Sequence, residues 1–325
     1  MDRQTEIAVA GSSETTLAHL GRIADRANEF VRHSKAKNTV SAYQSDWRHF
    51  SGWCDKHGLT SLPATPETVA LYLSDLSNTH KTSTVIRRVS SISQAHQMGG
   101  LETPSKSSKV RLVMAGIKRK NGTAALSKAP VLVGELKGMI LELPNKLIGV
   151  RDRALLLIGF CGAFRRSELV SLDHADVQIT RDGLVITLRR SKTDQTGDGR
   201  KIGVPFGSHP ESCPVRAYQD WLDASAISSG PLFRPINRHG RMTSDRLTPK
   251  AVAGIVKRSA KRIGLNVETV AGHSLRSGLC TSAADAGASE RSIMNQSGHR
   301  SLTSVRRYIR DGSLFKGNAA AVLGL

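Results

Sequence analysis

Residues Ala271–Arg310, AGHSLRSGLCTSAADAGASERSIMNQSGHRSLTSVRRYIR, gather His273, Arg276, His299 and Tyr308 within forty positions. Apolar and small residues recur at helical spacing over 274–286, 290–297 and 303–310, so three short helices are expected there. His273 and Arg276 are three apart and project from one helix face. Gly298 is the expected stop of the second helix, with His299 directly after it. Imidazoles, a guanidinium and a phenol brought together suit phosphate chemistry better than acyl transfer. The two histidines lack a third ligand at metal spacing, which disfavours a zinc site. A lone tyrosine or histidine is ordinarily a packing residue, so the neighbouring sequence has to carry the functional reading.

Upstream of this stretch the pattern is helical at 133–143 and 151–161, the latter with the apolar run Ala154–Phe160. Gly162 allows a turn, and Arg165-Arg166-Ser167-Glu168-Leu169 opens another helix. The period then changes to two. Val177–Thr180, Leu184–Leu188 and Lys201–Pro205 are expected strands, the first two joined by the turn Arg181-Asp182-Gly183. Ser191-Lys192-Thr193 follows the second strand in a polar loop, and helices are expected at 214–225 and 249–263. Nearer the N-terminus, helices are expected at 16–31, at 38–57 with Asn38 as N-cap, and from Thr65-Pro66-Glu67 to about Ser77. Two more are expected, from Thr82 to Gly99 and from 106 to 118. The basic, Asn-Gly-containing segment 119–129 reads as a linker.

This organises the chain into a flexible tail (1–14), an all-helical domain (15–118), the linker (119–129) and a second domain (130–325). The fold class is mainly α (α+β), with a small three-stranded antiparallel sheet in an otherwise helical second domain.

Lys and Arg number 47 against 27 Asp and Glu, a net charge of +20. Residues 1–120 hold 17 basic and 10 acidic side chains and the remainder 30 and 17, so both halves are basic. A polyanion held by both halves, nucleic acid above all, is the expected partner. A solvated basic surface is the plainer alternative. The four cysteines, Cys54, Cys161, Cys213 and Cys280, are widely spaced with no CxxC pair, which suits a reducing cytoplasm. The N-terminus has no signal-peptide core, and the run 154–164 is too short to span a bilayer. A cytoplasmic protein with no membrane association is expected.

Taken together, Arg165-x-Ser-Glu168-Leu, Ser-Lys192-Thr after a strand, His273-Ser-Leu-Arg276, Gly298-His299 and Tyr308-Ile-Arg resemble the tyrosine recombinases of the phage-integrase family. The first half resembles that family's core-binding (SAM-like) domain more loosely, through Asn38-Thr-x-x-x-Tyr43-x-x-Asp46-Trp47. The resemblance implies a site-specific recombinase in which two domains clamp duplex DNA. It would form a covalent 3′-phosphotyrosine and a Holliday junction without metal, nucleotide or other cofactor. Tyr308 would be the nucleophile, and Arg165 and Arg276 would clamp the non-bridging oxygens, as guanidinium forks do. Lys192 would be the general acid, protonated at neutral pH with an ordinary pKa near 10.4. His273 would accept the phenolic proton, His299 would donate to a non-bridging oxygen, and Glu168 would orient its neighbours. Arg166, where the family usually has an apolar residue, is a surface cation or a backbone-phosphate contact.

Lys35, Lys37, Arg48, Arg87 and Arg88 in the first domain are candidate DNA contacts, as are Lys257, Arg258, Lys261 and Arg262 in the second. Each is equally compatible with a solvated helix face. The implied partners are double-stranded DNA with an inverted-repeat site and, on that DNA, a homotetramer of a chain that is monomeric or weakly associated when free. The apolar tail after Tyr308 would dock on a neighbouring protomer. Nucleoid association and a place in a mobile element fit the same reading. Two rivals use the same residues: a type IB topoisomerase-like enzyme, and a DNA-binding regulator in which they merely grip phosphate.

Overall fold

The computed structural model describes residues 14–124, 128–189 and 199–312. Most of the expected N-terminal tail, Lys192 with its loop, and the apolar C-terminal segment lie outside the described residues, as does the side chain of Lys37. Packing divides the chain into two compact units, Met1–Leu126 and Ser127–Leu325.

The first unit is helical: α1 (Glu14–His33), α2 (Lys37–Lys56), α3 (Pro66–Leu76), α4 (Thr82–Met98) and α5 (Ser108–Asn121). At α3 the local signals act as the sequence suggests. Thr65 Oγ1 accepts from the Thr68 N–H at 3.1 Å, and Pro66 takes the first helical position, where no N–H is needed. α2 departs from expectation, since its N-cap is Ala36 with no side-chain bond, and Asn38 lies inside the helix. An Asn cap is worth only about 1 kcal/mol, and in an exposed first turn water can satisfy the free N–H groups. α5 continues to Asn121, into the segment read as linker, before Gly122 turns the chain with φ +71°. The apolar faces meet in a core that includes Phe50, Val69, Leu73, Val85 and Ile92, each at most 1% exposed.

The second unit begins with α6 (Val133–Leu141), α7 (Leu147–Cys161) and α8 (Arg166–Ser171). The sheet follows as β1 (Val177–Thr180), β2 (Gly183–Leu188) and β3 (Arg200–Pro205). Helices α9 (Pro214–Ser225), α10 (Pro249–Arg262), α11 (Ser274–Asp285), α12 (Glu290–Ser297) and α13 (Leu302–Gly312) complete it. The strands pair antiparallel in the order β1-β2-β3, with Val177 opposite Ile186 and Leu184 opposite Val204. Alternation buries Leu184, Ile186, Leu188, Ile202 and Val204 on one face. The chain is therefore mainly α with a small three-stranded antiparallel sheet.

α7 is buried nearly all round, Leu155, Leu156 and Ile158 being 0% exposed, which is why its apolar run has no polar face. Among the described residues no helix is long and apolar enough to cross a membrane. α11 passes close to the segment before α6. A Cβ on Gly278 would lie 1.9 Å from the Val131 carbonyl oxygen, so only glycine permits the approach. α11, α12 and α13 join through a separate small cluster of Cys280, Ala284, Ile293 and Val305, against which Tyr308 and Ile309 pack.

Candidate active site

Arg276 lies on the buried face of α11 and is 0% exposed. Its Nη1 donates to the Ala163 carbonyl at 2.7 Å and to the Ser297 carbonyl at 2.5 Å. Ala163 has φ +49°, a left-handed conformation that costs a non-glycine residue about 1 kcal/mol, and its carbonyl is one of those receiving this guanidinium. The Nε and Nη2 of Arg276 have no hydrogen-bond partner among the described residues. Burial, then Arg165, pulls its pKa down to about 10, so the charge remains at neutral pH. A buried cation with two unused donors lacks the partner that a buried charge normally has.

Arg165 occupies the N-cap position of α8. Glu168, one turn on, accepts from the Arg165 backbone N–H at 2.9 Å and from its Nη1 at 2.5 Å. One carboxylate thus fixes both the backbone and the side chain of Arg165, the reason for the Arg-x-x-Glu spacing. Glu168 is 3% exposed. Arg166, the adjacent residue, is exposed.

α12 ends where Gly298 adopts φ +67°. Arg200, the first residue of β3, donates to the carbonyls of Asn295 (3.2 Å), Gln296 (3.1 Å) and Ser297 (3.4 Å). Two guanidiniums therefore meet the last carbonyls of α12, where the helix dipole is negative. A Cβ on Gly298 would stand 2.8 Å from the Arg200 guanidinium carbon, so glycine is needed for space as well as for backbone angle. His299 follows, its Nδ1 2.7 Å from Ser297 Oγ. Burial, Arg276, Arg165, His273 and Arg200 push its pKa down to about 3.

α13 brings Tyr308 to this group within the same chain. Its hydroxyl lies 3.1 Å from His273 Nε2, and its ring centroid is 5.7 Å from that of His299. Burial and Cys280 raise the Tyr308 pKa, opposed by Arg276, Arg307 and Arg165. The phenol is therefore neutral at pH 7 and needs a base. His273 is lowered by burial, Arg276 and Arg165, against Glu168, and so is unprotonated and able to accept. Tyr308, His273, Arg276, Arg165, Glu168 and His299 come together, while Lys192 lies outside the described residues. Among the described residues no three His, Cys, Asp or Glu side chains gather as a metal site.

The candidate DNA contacts fall in different settings. Arg48, Arg258, Lys261 and Arg262 are exposed. Lys257 lies 3.5 Å from Glu268. Lys35 donates to Gln94 Oε1, with its ammonium 5.3 Å from the Tyr43 ring centroid. Arg87 is bidentate on Asp46 at 2.7 and 2.9 Å. Arg88, read from the sequence as a surface cation, is only 8% exposed and bonds His49 and Tyr72. Arg200 was not among the candidates, and the carbonyls it meets lie at least 95 positions on in the sequence. Gln296, whose amide bonds the Cys161 and Gly203 carbonyls, was also missed.

Residues 134–313 match the sequence model of the phage integrase family. The chain is 43% identical over 303 residues to an integrase/recombinase XerD homolog of Selenomonas ruminantium, covering 92% of this chain and 89% of that one. It is 25% identical over 300 residues to the recombinase Cre of Escherichia phage P1, covering 86% of each. Among solved structures, the fold is similar to that of the XerH site-specific recombinase bound to its palindromic difH substrate in a post-cleavage complex. There the TM-score is 0.60 at 18% identity, over 80% of this chain and 73% of that one.

Proposed function

Since this chain belongs to the phage integrase family and is a site-specific recombinase of the tyrosine class, we propose that Tyr308 is its nucleophile, forming a 3′-phosphotyrosine with DNA. The Tyr308 oxygen bonds to phosphorus as His273 takes the phenolic proton, and the bond from phosphorus to the 5′-oxygen breaks. Lys192 supplies the proton that the departing oxygen requires. Arg165, oriented by Glu168, and Arg276 bind the non-bridging oxygens, where charge builds in the transition state. His299 stands at the same phosphate. Because the ester retains the bond energy, the free hydroxyl of another strand can reverse the step without ATP, and no step calls on a metal. Two such rounds pass through a Holliday junction.

The observation that carries this reading is the 3.1 Å contact between Tyr308 and His273 beside a buried guanidinium with two unused donors. In this reading helices α1 to α5 form a core-binding domain, and segment 130–325 is the catalytic domain, joined to it by the segment after Asn121. Duplex DNA with an inverted-repeat site is the substrate, and four protomers assemble on it. The exposed Arg48, Arg258, Lys261 and Arg262, with Lys257, contact backbone phosphates, so affinity falls steeply with salt.

The test is a nicked suicide duplex carrying the inverted repeat beside the gene, incubated with the full chain in EDTA. A protein–DNA adduct that survives denaturation and is absent in Tyr308→Phe is the expected result. Binding with no adduct would leave only a DNA-binding protein. Relaxed DNA without recombinants would point to topoisomerase-like action.

A further inference from the structure

Ser297, the last residue of α12, is 0% exposed and touches neighbours on two sides. Its Oγ lies 2.6 Å from the Ile293 carbonyl oxygen one turn earlier and 2.7 Å from His299 Nδ1. A serine hydroxyl has one hydrogen and two lone pairs, whereas a carbonyl oxygen can only accept. The contact with Ile293 therefore takes the serine hydrogen, and the contact with His299 needs a hydrogen from the imidazole. Were the hydroxyl turned to Nδ1, two oxygens bearing only lone pairs would face each other at 2.6 Å in a buried site, where an unmet polar contact is most costly.

We infer that Ser297 is a positioning residue that fixes His299 as the Nδ1–H tautomer, leaving the ring's free lone pair on Nε2. The position of Ser297 is itself fixed, since its carbonyl receives both Arg276 and Arg200. The consequence bears on the proposed function and rests on it. A neutral His299 of this tautomer accepts at Nε2 and donates to a non-bridging oxygen only after taking a proton there. The groups around the ring are Arg276 and His273 at α11, Arg165 with Glu168 at the start of α8, Arg200 on β3 and the Tyr308 ring on α13. In the free protein the guanidiniums among them oppose that proton. A bound phosphodiester anion offsets their charge and favours it, so phosphate binding draws a proton from solvent onto Nε2.

The experiment is a long-range proton–nitrogen NMR spectrum of the full chain labelled with nitrogen-15 in histidine, with His299→Gln used to assign the ring. A protonated Nδ1 and bare Nε2 are expected for His299 in the free protein near pH 7.5. Ser297→Thr, which keeps the hydroxyl, retains the pattern, and Ser297→Ala loses it. In Ser297→Ala the adduct forms roughly tenfold more slowly at saturating DNA, a partial loss of a proton-transfer contribution, with affinity unchanged. A protonated Nε2 in the free wild-type protein overturns the inference, and so does a Ser297→Ala spectrum identical to wild type. If Ser297→Ala does not fold, the wild-type and threonine spectra decide. Absence of any Tyr308 adduct would sink the functional reading while leaving the tautomer as measured. An adduct with a protonated Nε2 in the free protein would sink only the tautomer.

Discussion

Arg88 in the first unit and Arg276 in the second are both buried guanidiniums, 8% and 0% exposed, and their charges are met differently. Around Arg88 there is a carboxylate to hand. Asp46, 3% exposed, lies 3.6 Å from its Nε and is also bidentate with Arg87, while His49 and Tyr72 take Nη1 at 2.9 and 3.1 Å. Among the described residues Arg276 has only carbonyls as hydrogen-bond partners, and the carboxylate near it, Glu168, is held by Arg165. Three guanidiniums, Arg165, Arg200 and Arg276, share that one carboxylate. The first cluster sets a buried carboxylate against Arg87, which is half exposed, and Arg88, whose Nε has that carboxylate at 3.6 Å without a hydrogen bond. The second carries surplus positive charge and unused donors, which an anion would complete. Buried arginine alone does not mark a binding site; one with no carboxylate within ion-pair reach is the better candidate.

The largest effect that would break this contrast concerns Arg276. In Arg276→Met, adduct formation should slow about 10³-fold, the usual cost of losing one preorganised donor to a developing anion. The thermal midpoint of the free protein should rise, because an uncompensated buried charge is replaced by an apolar chain. A lower midpoint would mean the guanidinium is already satisfied without DNA.

The opposite pattern is expected at the Asp46 cluster. Asp46→Asn strands two cations and should cost about 3 kcal/mol of stability in urea denaturation, as breaking a buried pair does. The rate of adduct formation at saturating DNA should stay near wild type. Unchanged stability would show that the two clusters do not differ as described.

The smallest effect sharpens the contrast at the surface. Arg48 is exposed and donates a long bond (3.4 Å) to the Gln44 carbonyl, so its charge is available to phosphate. Arg48→Ala should weaken binding about equally for all DNA sequences and reduce the slope of log affinity against log salt by ~0.9. An unchanged slope would remove Arg48 from the interface.

Much of the fold was legible because its signals are local. Thr65-Pro66-Glu67 marks a helix start wherever it occurs, Arg181-Asp182-Gly183 turns a hairpin, and alternation from Leu184 to Leu188 gives a half-buried strand. Arg165 and Glu168 were read as a pair because their three-residue spacing is that of the family the sequence resembles. Arg88 was misread as a surface cation because its partners stand on α2 and α3, at positions no helical spacing connects to it. Arg200 was passed over for the same reason. Its three carbonyls lie on α12, and nothing near it in the sequence announces them. Ser297 looked like any serine before a helix-ending glycine, since the contact with His299 exists only once α12 has ended in a left-handed turn.

The order of residue types along the chain was enough to determine which segments become helix or strand, and which chemical groups the second unit has for acting on a phosphodiester. Tertiary structure alone decided which buried arginine stands beside a carboxylate and which has carbonyls as its hydrogen-bond partners, and that Ser297 Oγ lies against His299 Nδ1. Hydrogen bonds and ion pairs act over a few ångströms of space, and the chain brings residues that close only after it has folded.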